Sequence, residues 1–237
     1  MGILVQRQFT VAADDRSEFE RQSRVGLWEN MRYNGAQMIA FGYWAFGGPG
    51  DVVVTNSAYA DFDHWTATRP WGAFATEEAR IEETKDLRAV FAGRSRLIRH
   101  SRAGIVSFDD TVSSPTPAWR RVGEPPAPMP ATFGRRSVVE EFRCRLDEDD
   151  AATFDAISRD VLWPGAAEHG GRLLISGHDP LVPRPNRVVM TAYPNISCWH
   201  RANEAGGELA AATMRRDGLA RSPETKLLMI ATDYGAG

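Results

Sequence analysis

The sequence has little cysteine, little net charge and no long apolar run, and each shortage removes a class of protein. Two cysteines, Cys144 and Cys198, stand apart in 237 residues. They show neither the spacing of a zinc site nor the density of a disulfide framework. A formal net charge of −3 gives no general attraction to nucleic acid or to an anionic lipid surface. The basic residues are mixed with acids and form no stripe. No stretch approaches the roughly 18 apolar residues of a spanning helix. Met1 to Gln8 lacks the charged and apolar regions of a secretion signal, and Gln6 stands where a myristoylation signal has Ser or Thr. A reduced, cytoplasmic setting is expected, with no nucleic acid and no membrane as partner. Gly-x-Gly-x-x-Gly, P-loop and Gly-x-Ser-x-Gly patterns are missing too, which leaves nucleotide use and serine-hydrolase chemistry unsupported. His64, His100, His169, His178 and His200 form no i, i+4 pair and no His-x-Glu pattern, so no metal site is expected.

What the chain does have is an internal duplication. Phe19, Ser23, Leu27, Trp28, Gly35 and Gly42 recur as Phe154, Ser158, Leu162, Trp163, Gly170 and Gly177, each pair 135 positions apart. Val53, Thr55, Tyr59 and Trp65 recur as Val189, Thr191, Tyr193 and Trp199. The offset changes near Gly47-Gly48-Pro49-Gly50, where a turn absorbs an insertion cheaply. Positions kept in both copies are expected to build the fold. Polar positions that differ are where function can have specialised.

Each copy reads as β-α-β-β-α-α-β. In the first, Val5, Arg7, Phe9 and Val11 alternate with Gln6, Gln8 and Thr10, as a half-buried strand does. Asp14-Asp15-Arg16-Ser17 opens a helix with acids in its first turn, and Phe19, Ser23, Leu27 and Met31 follow at helical spacing. Gly35 suits the left-handed residue that ends it. Gln37–Trp44 and Val52–Tyr59 read as strands joined by the glycine-rich hairpin. Asp61 caps a short helix carrying Phe62, Trp65, Thr68 and Arg69, stopped near Pro70. Thr76–Phe91 reads as an amphipathic helix and Arg96–Ser107 as the last strand. The second copy repeats the order, with strands Val138–Leu146, Arg172–His178, Arg187–Tyr193 and Lys226–Asp233, helices Asp150–Glu168, Ile196–Asn203 and Glu208–Arg216, and Asn195 in the capping place of Asp61. The expected division is a first unit 1–111, a linker 112–135 and a second unit 136–237. Six prolines (Pro115, Pro117, Pro125, Pro126, Pro128 and Pro130) favour an extended strap in the linker. Strand Val52–Tyr59 is apolar on both faces and so needs two covers. Helices can supply one and the sheet of the other unit the second. The fold class that follows is α+β, with two tandem units closing an intramolecular, pseudo-dimeric α+β barrel.

The strand from Gly35 to Gly42, the glycine-rich hairpin before Val52-Val53-Val54, and Tyr59-Ala60-Asp61-Phe62-Asp63-His64-Trp65-Thr66-Ala67-Thr68-Arg69 together carry a family likeness. The chain resembles the dimeric α/β-barrel superfamily of ferredoxin-like units, and within it the NIPSNAP-type group. The second unit keeps Tyr193, Asn195 and Trp199 but has Asn203 where Arg69 stands. The resemblance implies a fold rather than a reaction: such relatives include cofactor-free monooxygenases, polyketide cyclases, isomerases and haem enzymes.

Candidate chemistry gathers on a few side chains. The repeated aromatics Trp28, Trp163, Tyr59, Tyr193, Trp65 and Trp199 are packing residues or the walls of a flat apolar pocket between sheet and helices. His64, opposite Cys198, is a proton shuttle or a surface histidine in a first helical turn. Arg69 lies one turn past Trp65. It either anchors an oxyanion or pairs with Asp61, Asp63 or Glu77. Arg7 replaces Phe142 on the core-facing side of strand one, where a guanidinium needs a partner or an anionic ligand. A slip of one residue in register would leave it exposed. Tyr43 corresponds to His178, and His178 and His200 could converge in the second unit. A single axial histidine, His178 or His200, would suffice for haem.

The expected activity is cofactor-independent acid/base chemistry on a small, largely apolar aromatic or polyketide-like metabolite, as cyclase, isomerase or lyase. His64 or His178 would act as base or acid, Tyr59 as donor and Arg69 or Arg7 as oxyanion stabiliser, with Trp28, Tyr43, Trp65, Trp163, Tyr193, Trp199 and His200 on the substrate. The alternatives are a cofactor-free monooxygenase on the same substrates, a non-catalytic ligand-binding module and a haem protein. Further association into a homodimer is open through helices or strand edges.

Overall fold

Strand β1 (Gly2–Val11) alternates between two environments, and that alternation sets the architecture. Ile3, Val5, Phe9 and Val11 face a helical layer, whereas Leu4 lies in a separate apolar cluster inside the barrel. The register of strand one is therefore the expected one, with Arg7 on the helix side. The computed structural model describes residues 1–69, 87–120, 124 and 134–232. Strands β2 (Gln37–Phe46), β3 (Val52–Tyr59) and β4 (Ile98–Phe108) complete the first half. β5 (Val138–Arg145), β6 (Arg172–His178), β7 (Asn186–Tyr193) and β8 (Arg221–Ile230) form the second. The eight close a barrel in the order β1-β3-β2-β8-β5-β7-β6-β4. β3 has its two covers: Val53 and Tyr59 face the helices, and Val52, Val54 and Ala58 face the interior.

Two seams join the halves, β2 to β8 and β4 to β6. Each carries one member of a duplicated glycine pair. A Cβ on Gly42 would lie 2.0 Å from the Met229 carbonyl oxygen, and one on Gly177 would lie 2.2 Å from that of Ser107. Both distances are far inside contact, so a side chain at either place would part the strands.

The helical cover repeats as well. In the first unit α1 (Arg16–Gln22) runs through a π turn, Ser23–Trp28, into α2 (Glu29–Tyr33). In the second, α5 (Ala151–Ile157) runs through Ser158–Leu162 into α6 (Trp163–Glu168). The same hydroxyl opens both π turns: Ser23 Oγ donates to the Phe19 carbonyl at 2.7 Å, and Ser158 Oγ to Phe154 at 2.8 Å. A hydroxyl bonded four residues back competes with the regular ladder and bends a helix. Expected as unbroken, Asp150–Glu168 is thus interrupted at the duplicated serine. Gly35 and Gly170 follow with φ of 84° and 81°, the left-handed ends expected at least for the first.

Four further helices complete the cover: α3 (Phe62–Ala67) and α4 (Leu87–Arg96) in the first unit, α7 (Ile196–Asn203) and α8 (Gly207–Leu219) in the second, among the described residues. Asp61 and Asn195 cap α3 and α7, accepting from the His64 and Cys198 amides at 2.7 and 2.9 Å. The early part of the expected Thr76–Phe91 helix, with Glu77 and Pro70, lies outside the described residues. So do Pro125, Pro126, Pro128, Pro130 and Asp233. β8 starts five residues before its expected onset at Lys226. Pro223 hides it, because a proline inside a run argues against a strand; here a bulge opposite Arg143–Arg145, with Ser222 at φ 50°, absorbs the proline. The linker's described part is a strap. Ser114 N donates to the Leu174 carbonyl at 2.9 Å, Thr116 N to Gln37 Oε1 at 2.8 Å, and Ala118 N to the Gly35 carbonyl at 3.3 Å. It therefore runs from the second unit's sheet to the end of the first unit's helix. No helix among the described residues is long and apolar enough to cross a membrane.

Candidate active site

Between the first unit's sheet and its helices three guanidinium groups lie within electrostatic reach of one another. Arg7 comes from β1, Arg69 from the residue after the α3 C-cap, and Arg94 from the last turn of α4. Arg69 and Arg94 are only 4% and 6% exposed. Arg69 Nη2 donates to the Tyr59 hydroxyl at 3.1 Å and to Thr68 Oγ1 at 3.0 Å, and its Nε reaches the Trp65 carbonyl at 3.4 Å. Its guanidinium carbon sits 5.3 Å from the centre of the Trp65 ring. Arg94 lies 4.4 Å from the Phe9 ring centre and 4.2 Å from that of Phe19, and donates to Ser23 Oγ at 2.7 Å. That bond uses the hydroxyl which opens the π turn, so the helix distortion and the site are built from one residue. No carboxylate among the described residues pairs with any of the three. Burial lowers the Arg94 pKa to about 9, with Arg7 and Arg69 adding to the effect. Burial, then Arg69, also lowers that of Arg7. Tyr59 is 1% exposed and shares a second hydrogen bond, 3.1 Å, with Ser57 Oγ. The Trp65 Nε1–H is buried without an acceptor. Asp61 and Asp63, the partners considered for Arg69, do not bind it; Glu77 lies outside the described residues.

His64 sits at 0% exposure beside Tyr59 rather than at the surface, and both ring nitrogens are occupied. Nδ1 accepts from the Ala60 amide at 3.1 Å, and Nε2 meets the Asn34 carbonyl oxygen. A carbonyl can only accept, so the ring is the neutral tautomer with its proton on Nε2. Its face stacks on Trp119 of the strap at 4.9 Å, and burial lowers its pKa. This arrangement leaves no lone pair for a substrate proton. His64 joins strap, helix end and capping turn, and the geometry does not support it as a base.

The remaining expected site residues divide between places. Trp28 is buried edge-on to Phe41 at 5.2 Å, in the cluster that holds Tyr59. Tyr43 is half-buried farther along β2, under Arg16 at 5.2 Å. In the second unit Trp163, Tyr193, Asn203 and Arg216 line a cavity of about 60 Å³, too small for a metabolite. Trp199 points into the same region, where its Nε1–H donates to Glu140 at 2.8 Å. Burial raises the pKa of Glu140, opposed by Trp199, Arg216 and Asn203, and burial likewise raises that of Tyr193. His178 does not converge with His200. It lines a groove of about 420 Å³ with Asp155, Arg159 and Arg187, and its Nε2 faces the Arg184 guanidinium. His200 is exposed on α7. Neither offers a free ring nitrogen inside an apolar cavity, so the residues considered for haem do not fit it.

Sequence reasoning missed Arg94 and Glu140. Glu140 carried a readable signal: it stands 135 positions after Val5. The strand registers confirm the equivalence, because Val5 pairs with Ser57 two residues before Tyr59, and Glu140 with Thr191 two before Tyr193. Arg94 had a weaker signal, lying four residues after Val90 on the packed face of its helix.

No family model matches this chain, and no curated protein matches it in sequence. Solved structures do match in fold. A candidate monooxygenase from Lactobacillus acidophilus superposes with a TM-score of 0.63 at 13% identity, over 98% of this chain and 96% of that one. An anthrone oxidase-like protein gives 0.53 at 12% identity, over 97% and 91%. A NIPSNAP family protein from Agrobacterium tumefaciens gives 0.36 at 18% identity, over 46% of this chain and 87% of that one. The first two full-length likenesses place this chain in the dimeric α/β-barrel fold, closed here within one polypeptide.

Proposed function

We propose that the chain is a cofactor-independent enzyme that stabilises the enolate or phenolate of a small, largely apolar aromatic or polyketide-like substrate in the first unit. One observation carries this reading: Arg7, Arg69 and Arg94 lie together under the helices with no carboxylate among the described residues. Uncompensated buried charge is costly, and a substrate oxyanion supplies the missing negative charge. Arg7 has no hydrogen-bond or ion-pair partner among the described residues, so it faces the developing oxyanion and Arg94 adds field behind it. Tyr59, its oxygen held by Arg69, directs its hydroxyl proton to Ser57 or to the ligand. The rings of Trp28 and Trp65 favour a flat substrate.

The carbon acid of such a substrate loses its proton to water, and the guanidinium field makes that loss easier. The carbanion then has two fates. Reprotonated at another carbon, it gives an isomer or cyclised product. Meeting dioxygen, it passes two electrons to O2 and forms a C–O bond; the resulting hydroperoxide loses water and leaves a ketone, so a CH2 group and O2 become C=O and H2O. The likeness to proteins described as a candidate monooxygenase and as anthrone oxidase-like favours the second fate.

Exchange of solvent deuterium into an anthrone under nitrogen tests the common step, and uptake of ¹⁸O2 into the product ketone tests the second. Both are expected above the buffer rate. Absence of any enzyme-dependent exchange would overturn the enzymatic reading and leave a ligand-binding module.

A further inference from the structure

The two units carry the same frame around different centres. In the second, Trp199 donates its indole N–H to Glu140 at 2.8 Å, Asn203 lines the same small cavity with its amide bonded to the Trp199 carbonyl at 2.9 Å, and Arg216 adds its field. In the first, Trp65 stands for Trp199, Arg69 for Asn203, and Arg94, in the last turn of the matching helix, for Arg216. Each guanidinium packs on a ring of its unit's first strand: Arg216 lies 4.2 Å from the Phe142 ring centre and Arg94 4.4 Å from that of Phe9, two positions farther along by the internal alignment. Among the described residues no carboxylate takes the place of Glu140. Val5 replaces Glu140, the Trp65 N–H is buried without an acceptor, and one more guanidinium, Arg7, stands where the second unit has Phe142.

We propose that the first unit takes its ligand by a carboxylate group, seated where Glu140 sits in the second unit. This inference rests on the reading above for the location of the site, not for its reaction. The second unit shows what such a frame holds when the chain supplies the carboxyl group itself. The first keeps the donors, adds positive charge and leaves the anion to come from outside. One carboxylate oxygen meets Trp65 Nε1–H and the other the Arg69 guanidinium, a charge-assisted pairing that a neutral amide cannot reproduce. Arg7 remains for a second oxygen elsewhere on the ligand. The substrate class is thereby narrowed to aromatic or polyketide-like carboxylic acids.

The test is binding of 2-naphthoate and of the isosteric neutral 2-naphthamide to the full chain, followed by tryptophan fluorescence and calorimetry. The acid is expected to bind about tenfold or more tighter than the amide. Val5→Glu, which installs the second unit's anion, should abolish that preference. Trp65→Phe, a milder change, should weaken the acid several-fold and the amide less, so the proposal stays testable if Val5→Glu does not fold. Equal binding of acid and amide would overturn it, as would an acid preference that survives Val5→Glu. Acid preference without deuterium exchange keeps the carboxylate site and removes the enolate reading. Exchange without acid preference does the reverse.

Discussion

In the second unit an indole N–H meets a carboxyl group from the chain's own strand, with an amide and a guanidinium nearby; in the first, an indole N–H and three guanidiniums have no carboxylate beside them among the described residues. Both sites lie between the same strands and the same bent helix, so the frame does not explain the contrast. Three substitutions do. Val5 against Glu140 removes a carboxyl group, and Arg7 against Phe142 and Arg69 against Asn203 each add a cation. The second site satisfies its own charges and leaves only about 60 Å³ of space. The first has no such balance among the described residues. On the proposal made above, duplication has let one half become a structural element and the other a receptor, with the first of these as an internal control.

The comparison can be broken from its most consequential residue downward. Arg7→Phe copies the second unit's residue and should lower kcat/KM for an exchangeable substrate about 100-fold, the effect of losing one oxyanion donor. Its melting temperature should hold or rise, since a buried cation is replaced by a ring that its counterpart site accommodates. A fall in stability with unchanged turnover would show that Arg7 is structural.

Removing His64, which the second unit replaces with Cys198, should cost roughly 2 kcal/mol in urea unfolding by stranding a buried amide and a carbonyl. It should also flatten the pH dependence. Burial lowers the His64 pKa, so its stabilising share is present above the unfolded value and is lost as pH falls through the folded one. The parent should therefore lose more stability than His64→Gln between pH 7 and pH 5. Equal slopes would mean that the imidazole is not held neutral.

The two capping residues sharpen the symmetric side. Asp61→Ala and Asn195→Ala should each cost about 1 kcal/mol. Asp61→Ala should cost the more, because Asp61 also accepts from the Trp119 indole at 3.3 Å. The smallest effect is expected at Glu140. Its pKa is raised by burial, so it contributes to stability while protonated and loses that contribution as pH rises through the folded value. Glu140→Gln should gain on the parent between pH 4 and pH 8, in thermal melts, with turnover unchanged.

Much of this was legible in the sequence because duplication supplies an alignment within one chain. The constant spacing marked Gly42 and Gly177 before the seams gave them a reason. Alternation in β1 placed Arg7 against the helices; the same alternation carried a signal for Glu140, two positions before Phe142, that went unread. Other features were hidden for physical reasons. Pro223 disguised the start of β8 because a bulge can absorb a proline that a regular ladder cannot. The π turns were invisible because a serine bonding back along its helix leaves the apolar spacing almost unchanged. His64 looked like a catalytic group because sequence shows an ionisable ring, not the Asn34 carbonyl and Ala60 amide that occupy it. Arg94 fell between the expected helix Thr76–Phe91 and the expected strand from Arg96; the helix in fact runs to Arg96, and packing on Phe9 and Phe19 sets Arg94 apart.

The paired seams have a consequence for how this protein can be taken apart. Each half ends in two strands, β2 and β4 or β6 and β8, whose outer edges are closed only by the other half. Cut between the halves, the two fragments would each present a matched pair of sticky borders, shaped by Gly42 and Gly177 to accept one specific neighbour. Co-expressed, they should reassemble as a split protein. Because the proposed receptor belongs to the first fragment, shuffling fragments should make it possible to produce barrels with one such site, with none, or with two.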